Sequence, residues 1–202
     1  MKRFNVAAPT PQGPLDLNQQ TFALGMNFHE AAIRAGETRL DSSGKPVDAL
    51  CPMIVSYAFA AELYLKALSL RPIKNHRLNV LFSRLDSETR LAIEVTYMTI
   101  SGRSSAELQA DLRALASAFV EWRYIYEGDG LQVHTNLLIA FVKSTYRAIR
   151  TLRPAWEVSP DAQERFTANE VTPSMTVKNL GGGTFLHVVD GTDGALNTPE
   201  AR

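Results

Sequence analysis

The chain has 202 residues, which is enough for one ordinary domain and a tail. Its 21 basic and 21 acidic residues cancel, which argues against a generally basic nucleic-acid coat or a polybasic membrane-surface protein but allows a local basic patch. The single cysteine, Cys51, cannot build an internal disulfide framework, so a reducing cytoplasm is the expected compartment.

Residues 1–15 are predicted to form an extended arm, because they contain three prolines and a glycine. Lys2 and Arg3 lack the apolar stretch that follows the basic residues of a signal peptide, and no membrane association is expected because no apolar run approaches bilayer-spanning length. Asp16 is a suitable cap for the first predicted helix, whose apolar stripe includes His29.

Helical periodicity continues through the middle of the chain. In the most regular stripe, Glu62 and Lys66 are four residues apart in the order that favours an ion pair. Ser104 and Glu107 form a capping box that opens a long helix. The last helix is apolar nearly all round, so it should lie centrally or at an interface, and we predict a homodimer. The predicted helices are 17–39, 53–70, 76–85, 88–99, 105–126 and 132–151.

This pattern predicts an all-α fold, a bundle of about five to six helices. The predicted organisation is an arm at 1–15, the bundle at 16–156 and a flexible, irregular tail at 157–202. The tail is polar and rich in glycine, so truncation after Glu157 is expected to leave stability nearly unchanged. One apolar fragment, 184–189, is suited to pair as a lone strand.

Metal and thiol chemistry are not indicated. The four histidines and the lone cysteine lack the spacing of a metal site, so no metal and no cofactor are expected. Cys51 precedes Pro52 at a helix start, where a thiolate would be stabilised, but a buried structural cysteine is the favoured interpretation.

Arg123 lies beside the apolar stripe of Phe119 and Trp122, so it needs a carboxylate partner, for which Glu127 and Glu62 are both candidates. One interpretation is a buried ion pair that sets the register of two helices. The other is an arginine kept away from water to bind a phosphate or a partner's carboxylate.

Three segments carry a family resemblance: 61–68, 75–85 and 119–127. With the helices around them, over about 20–150, they resemble the bacterial HEPN family, the higher-eukaryote and prokaryote nucleotide-binding domains. The resemblance implies a helical bundle that usually dimerises, in a family many of whose members belong to toxin–antitoxin, phage-defence or RNA-processing systems. The matching positions, and thus the candidate binding residues, are Glu62, Lys66, His76, Trp122, Arg123 and Glu127.

The catalytic ribonucleases of that family share an Arg-x4-6-His motif, from which this chain departs. Ten residues separate Arg123 from His134, and the four-residue spacing of Arg71 and His76 spans Pro72 at an earlier helix boundary. We therefore expect a non-catalytic binding or regulatory module that contacts RNA, a nucleotide or a partner protein of a two-component system. The alternative is a metal-independent ribonuclease with Arg123 and His76 as candidate catalytic residues, although His76 also suits a packing or capping role.

Overall fold

The computed structural model of the protein describes residues 16–37, 39–40, 46–47, 49–116, 118–123, 132–167, 175–181 and 184–189. Within these residues the fold is mainly helical, which confirms the predicted α-helical bundle. The helices are α1 (Leu17–Gly36), α2 (Leu50–Leu68), α3 (Leu78–Ser83), α4 (Ser87–Ser101), α5 (Ser105–Ala114), α6 (Ala118–Arg123), α7 (Thr135–Leu152) and α8 (Pro160–Thr167). The strands are β1 (Arg39–Leu40), β2 (Pro46–Val47), β3 (Gln132–His134), β4 (Met175–Gly181) and β5 (Thr184–Val189).

Helices α1 and α2 form an antiparallel pair. At one end, Asn18 Nδ2 donates to the Ser69 carbonyl at 3.2 Å, and at the other Gly36 lies against Met53. Midway, a Cβ atom added to Gly25 would lie only 2.7 Å from the Tyr64 ring. Glycine at this position therefore allows the two helices to approach closely.

Helix α7 lies in the centre of the bundle and packs against both α2 and α4. Its buried side chains include Leu138, Phe141 and Ile149, and the buried hydroxyl of Thr145 donates to the Phe141 carbonyl. Of the two positions predicted for this helix, the central one is therefore confirmed. Its N-terminal boundary differs from the prediction, because residues 132–134 form β3 and not the first turn.

The helix predicted at 105–126 is divided in the structure. Helix α5 begins at the predicted capping box, in which the Ser104 and Glu107 side chains each bond the other residue's backbone N–H, but it ends at Ala114. The Ala116 carbonyl then accepts from the N–H of Leu78, so the turn holds the start of α3. Apolar periodicity did not reveal this break, because buried side chains continue on both sides of it, at Leu115 and Phe119.

The segment predicted to be an irregular tail contains ordered elements. Helix α8 buries Phe166, and β5 pairs antiparallel with β4, which pairs in turn with β3. Val177 of β4 thereby lies between Val133 and His187 in the register of the sheet. The predicted strand at 184–189 is present as β5, but it is not a lone strand, because β4 pairs with it on one side and with β3, about 50 residues earlier, on the other.

Helix α2 corrects the expectation that no stretch is long and apolar enough to span a membrane, since Leu50–Leu68 passes that test by length and composition. However, 61% of this stretch is buried inside the structure. That burial is consistent with the core helix of a soluble protein.

Candidate functional site

A buried carboxylate in the second half of α2 contacts two basic side chains. Glu62 is only 1% exposed, and its Oε1 lies 2.7 Å from Lys66 Nζ and 3.0 Å from His76 Nδ1. Lys66 is one turn further along α2, whereas His76 comes from the segment between α2 and α3. The structure therefore confirms the predicted Glu62–Lys66 pair and brings His76 to the same carboxylate.

This contact orients the ring of His76. Because an ionised carboxylate only accepts hydrogen bonds, Nδ1 of His76 donates and Nε2 is the nitrogen that remains for a ligand. The His76 side chain is 60% exposed, and its ring centroid lies 6.3 Å from that of Phe119. The imidazole is thus held by a buried acid and is accessible from solvent.

The other oxygen of Glu62, Oε2, is buried and has no hydrogen-bond partner in the part of the chain that the structure describes. Helix α6, which ends at Arg123, packs against α2. The side chain of Arg123 and the whole of Glu127 lie outside the described residues. The choice between Glu62 and Glu127 as the partner of Arg123 therefore stays a prediction.

Trp122 lies in the core and not on a binding surface. Its side chain is 1% exposed, and the neighbouring Phe119 stacks on Phe59 of α2 with 4.4 Å between ring centroids. These aromatic contacts attach α6 to α2. Trp122 can therefore support the predicted binding residues, but it cannot contact a ligand without opening the core.

The chain from α2 to α3 has a local excess of basic residues, which the zero net charge of the whole chain does not show. Between Leu63 and Leu85 there are five Lys or Arg residues, one His and no Asp or Glu. We call this stretch, 63–85, the basic segment. Its basic residues are Lys66, Arg71, Lys74, His76, Arg77 and Arg84.

Four cations of the basic segment are exposed, and their charged groups have no hydrogen-bond or ion-pair partner among the described residues. Only Lys66 and His76 share a carboxylate, that of Glu62. A charge count along the sequence would have revealed the excess, but not which cations are unpaired. The unpaired cations are Arg71, Lys74, Arg77 and Arg84.

His29 is a buried polar residue of α1, and the sequence predicted only its place on the apolar stripe. It is fully buried, with Nδ1 3.1 Å from Tyr64 Oη, and the Phe166 ring stacks on it with centroids 4.4 Å apart. Burial, together with the charge of Lys143, lowers the pKa of His29 to about 3. The imidazole is therefore neutral at physiological pH, and its environment is that of a core residue.

Sequence reasoning also missed a polar network that joins α4 and α5. Asp111, which is 5% exposed, accepts from Tyr97 Oη at 2.7 Å and from Arg103 Nε and Nη2 at 2.7 and 2.8 Å. Burial and the bond to Asp111 raise the pKa of Tyr97 above its usual value. All members of this network find partners within it, so we assign it to stability and not to ligand binding.

Cys51 and the histidines are the side chains on which thiol or metal chemistry would depend. Cys51 is half-buried at the start of α2, and burial raises its pKa, which favours the neutral thiol over a thiolate. Within the described ranges, no three His, Cys, Asp or Glu side chains cluster closely enough to hold a metal ion.

Comparisons with protein-family models, with curated proteins and with solved structures give no match to this chain.

Proposed function

We propose that the protein is a HEPN-like helical module that binds RNA or another phosphate-bearing ligand through the basic segment. The observation that carries this proposal is a set of four exposed cations that have no partner among the described residues and that lie in a stretch without acidic residues. When basic side chains neutralise the phosphates of a nucleic acid, the counterions bound to those phosphates are released, and this release favours binding. A local cluster of cations is sufficient for this effect, even in a protein whose net charge is zero. Lys66 and His76, held by Glu62, extend the same surface.

The proposed biological setting is that implied by the HEPN resemblance: a cytoplasmic, homodimeric protein of a defence, toxin–antitoxin or RNA-processing system. A partner protein from such a two-component system is a further proposed ligand. The surface that we propose for dimerisation is on α4 and not on the buried α7, because Leu91, Val95 and Met98 are exposed on α4 at helical spacing.

RNA binding is tested by fluorescence anisotropy with a labelled single-stranded RNA over a range of salt concentrations. The triple variant Arg71→Gln, Lys74→Gln, Arg77→Gln should bind at least about tenfold more weakly, and the slope of log K against log salt should fall by about 2, since each phosphate contact contributes about 0.7 for single strands. These side chains are exposed, so the fold should be unchanged.

Arg34→Gln is the matched control. Arg34 is exposed and lies at the end of α1 that packs near the start of α2, so the 19-residue length of α2, about 28 Å, separates it from the basic segment. The control should bind RNA like the wild type. Equal weakening in both variants, or no binding by the wild type at low salt, would remove the proposal.

A second candidate function is metal-independent RNA cleavage, which the bond between His76 and Glu62 favours. In that reaction the ribose 2′-oxygen attacks phosphorus, the bond to the 5′-oxygen breaks, and a 2′,3′-cyclic phosphate and a 5′-hydroxyl form. Nε2 of His76 would accept the 2′-hydroxyl proton or donate a proton to the leaving oxygen. Arg123 is the proposed stabiliser of phosphate charge.

Cleavage is tested by incubating the wild type and His76→Ala with single-stranded RNA in the presence of a chelator. Chelator-resistant cleavage that is lost in His76→Ala but kept in Arg34→Gln would replace the non-catalytic proposal with the ribonuclease. If the wild-type protein binds the RNA but does not cleave it, the ribonuclease proposal is contradicted for that substrate and the binding proposal stands.

A further inference from the structure

A cavity of about 500 Å³ lies between the end of α2 and the start of α4. Its volume is within the usual range of small-molecule sites. Four of the residues around it, Leu70, Arg71, Pro72 and Arg84, are exposed, so the cavity opens to solvent. It is lined by Ser69, Leu70, Arg71, Pro72, Ile73, Arg84, Leu85 and Asp86.

Two of the unpaired cations of the basic segment, Arg71 and Arg84, line this cavity from different elements. Arg71 follows α2, and Arg84 follows α3. Neither guanidinium has a hydrogen-bond or ion-pair partner among the described residues. Two guanidinium groups on one cavity provide several donors, and the forked geometry of each matches the oxygens of a phosphate.

The cavity also has an apolar wall. Leu70 is 76% exposed, an unusual value for a leucine, and Pro72, Ile73 and Leu85 complete the wall. Covering such a wall with a ring would remove apolar surface from water. A bare phosphate or sulfate ion would leave this wall uncovered, so the cavity fits an anion that carries an apolar or aromatic group.

Asp86 supplies the third type of contact. Its two carboxylate oxygens accept from Thr89 N at 2.9 Å and Thr89 Oγ1 at 2.8 Å, and these bonds lower its pKa, so it remains ionised. A carboxylate in this place opposes a second anionic group on the ligand but can accept from hydroxyl or amino groups. The ligand should therefore have one anionic end and several hydrogen-bond donors elsewhere.

We infer that this cavity is a nucleotide site, in which Arg71 and Arg84 bind the phosphate, the apolar wall covers the base, and Asp86 accepts from the ribose or base. This inference rests on the proposed function, because the cavity adjoins the proposed RNA-binding surface and Arg71 and Arg84 belong to both. The nucleotide is either free in solution or the terminal unit of an RNA strand, since both present the same phosphate, sugar and base.

The test is isothermal titration calorimetry of the full chain with four probes: adenosine monophosphate, uridine monophosphate, uridine and inorganic phosphate. We expect the monophosphates to bind at millimolar concentrations or below, and uridine and phosphate to bind at least about tenfold more weakly, since uridine lacks the phosphate and inorganic phosphate lacks the sugar and the base. The double variant Arg71→Gln, Arg84→Gln should weaken monophosphate binding at least about tenfold, whereas Arg34→Gln should not.

RNA binding measured with the same proteins separates the two proposals. RNA binding without monophosphate binding would overturn the nucleotide site and leave the RNA-binding proposal standing. Monophosphate binding that depends on Arg71 and Arg84, without RNA binding, would support the site with a free nucleotide as its ligand and overturn the RNA-binding proposal. Absence of both, or monophosphate binding that survives the double variant, would overturn the site.

Competition between uridine monophosphate and a short RNA then identifies the source of the nucleotide. A short RNA with a 5′-phosphate that competes with uridine monophosphate, while its dephosphorylated form does not, would assign the site to the end of an RNA strand. Failure of both forms to compete would assign the site to free nucleotides.

Discussion

At the residue scale, two buried side chains differ in whether their neighbours favour the charged form. Glu62 is buried with Lys66 and His76 beside it, whereas His29 is buried near Lys143 and lies among Tyr64 and Phe166. Glu62 can therefore carry charge in the core, but His29 must remain neutral. This difference leads to one prediction for each side chain.

The first prediction concerns His29 and pH. Its pKa falls from 6.5 in the unfolded chain to about 3 in the fold, so the unfolded state binds more protons between these values, and stability falls as pH falls through that window. At pH 5 the loss should be about 2 kcal/mol relative to neutral pH. Urea unfolding at several pH values would measure it. In His29→Gln the dependence should be weaker by about that amount, and an equally steep dependence would contradict the assignment.

The second prediction concerns Arg123 and the partner that it needs. If Arg123 pairs with Glu62 inside the bundle, Arg123→Ala should destabilise the fold by about 3–5 kcal/mol, because the buried Oε2 of Glu62, which Lys66 and His76 do not contact, would lose its charged partner. Adding Glu62→Leu should then recover much of the loss. If Arg123 acts on a ligand, the single change should leave stability nearly unchanged and reduce RNA binding or cleavage.

A double-mutant cycle between Glu62 and Arg123 discriminates between these outcomes. A second cycle with Glu127→Leu is the control, since Glu127 is the other predicted partner. Coupling confined to Glu127 would show that the carboxylate held by Lys66 and His76 is not the partner of Arg123.

At the element scale, α8 connects the last part of the chain to the bundle. Phe166 is 1% exposed and stacks on His29, Arg147 Nη2 donates to the Thr167 carbonyl at 3.0 Å, and Arg165 pairs with Glu30. A short helix of eight residues would not be stable alone, so these contacts with α1 and α7 are what hold it.

These contacts revise the expectation that truncation after Glu157 is harmless. Phe166→Ala should destabilise the fold by about 3–5 kcal/mol, because it leaves a cavity beside His29. Glu164→Ala, an exposed change on the same helix, should cost less than about 0.5 kcal/mol. Thermal unfolding would measure both, and truncation after Glu157 should resemble Phe166→Ala. An unchanged melting temperature after truncation would restore the original expectation.

At the scale of the whole molecule, the homodimer stays a prediction, but the structure changes the reason for it. Helix α7 is covered within the bundle, whereas Leu91, Val95 and Met98 of α4 are 59%, 54% and 46% exposed. These three side chains lie at positions i, i+4 and i+7, so they form one apolar row on the outer face of α4.

We expect light scattering at micromolar concentration to give the mass of a dimer. The variant Leu91→Lys, Val95→Lys should shift it toward the monomer, because two charges would be brought into the apolar contact. Leu24→Lys, on an exposed part of α1, is the control and should remain dimeric. A wild-type monomer mass would remove the prediction, and a dimer that persists in the α4 variant would move the interface elsewhere.

The sequence by itself determined the features that depend on residues close together along the chain. Apolar periodicity located α1, α2, α4 and α7 to within a few residues, the Ser104–Glu107 box marked the start of α5, and the spacing of Glu62 and Lys66 predicted their ion pair. Each of these signals arises within one or two helical turns, where the backbone dictates which side chains meet. The prediction of a helical bundle follows from them.

Only the tertiary structure decided which distant residues meet. The approach of His76 to Glu62, the stacking of Phe166 on His29, the bonds of Asp111 to Tyr97 and Arg103, and the pairing of β3 with β4 all join different elements. The cavity between Arg71 and Arg84 is likewise a product of how α2, α3 and α4 are arranged. Periodicity specifies which face of a helix is buried but not what it is buried against, because that depends on close packing of the whole core.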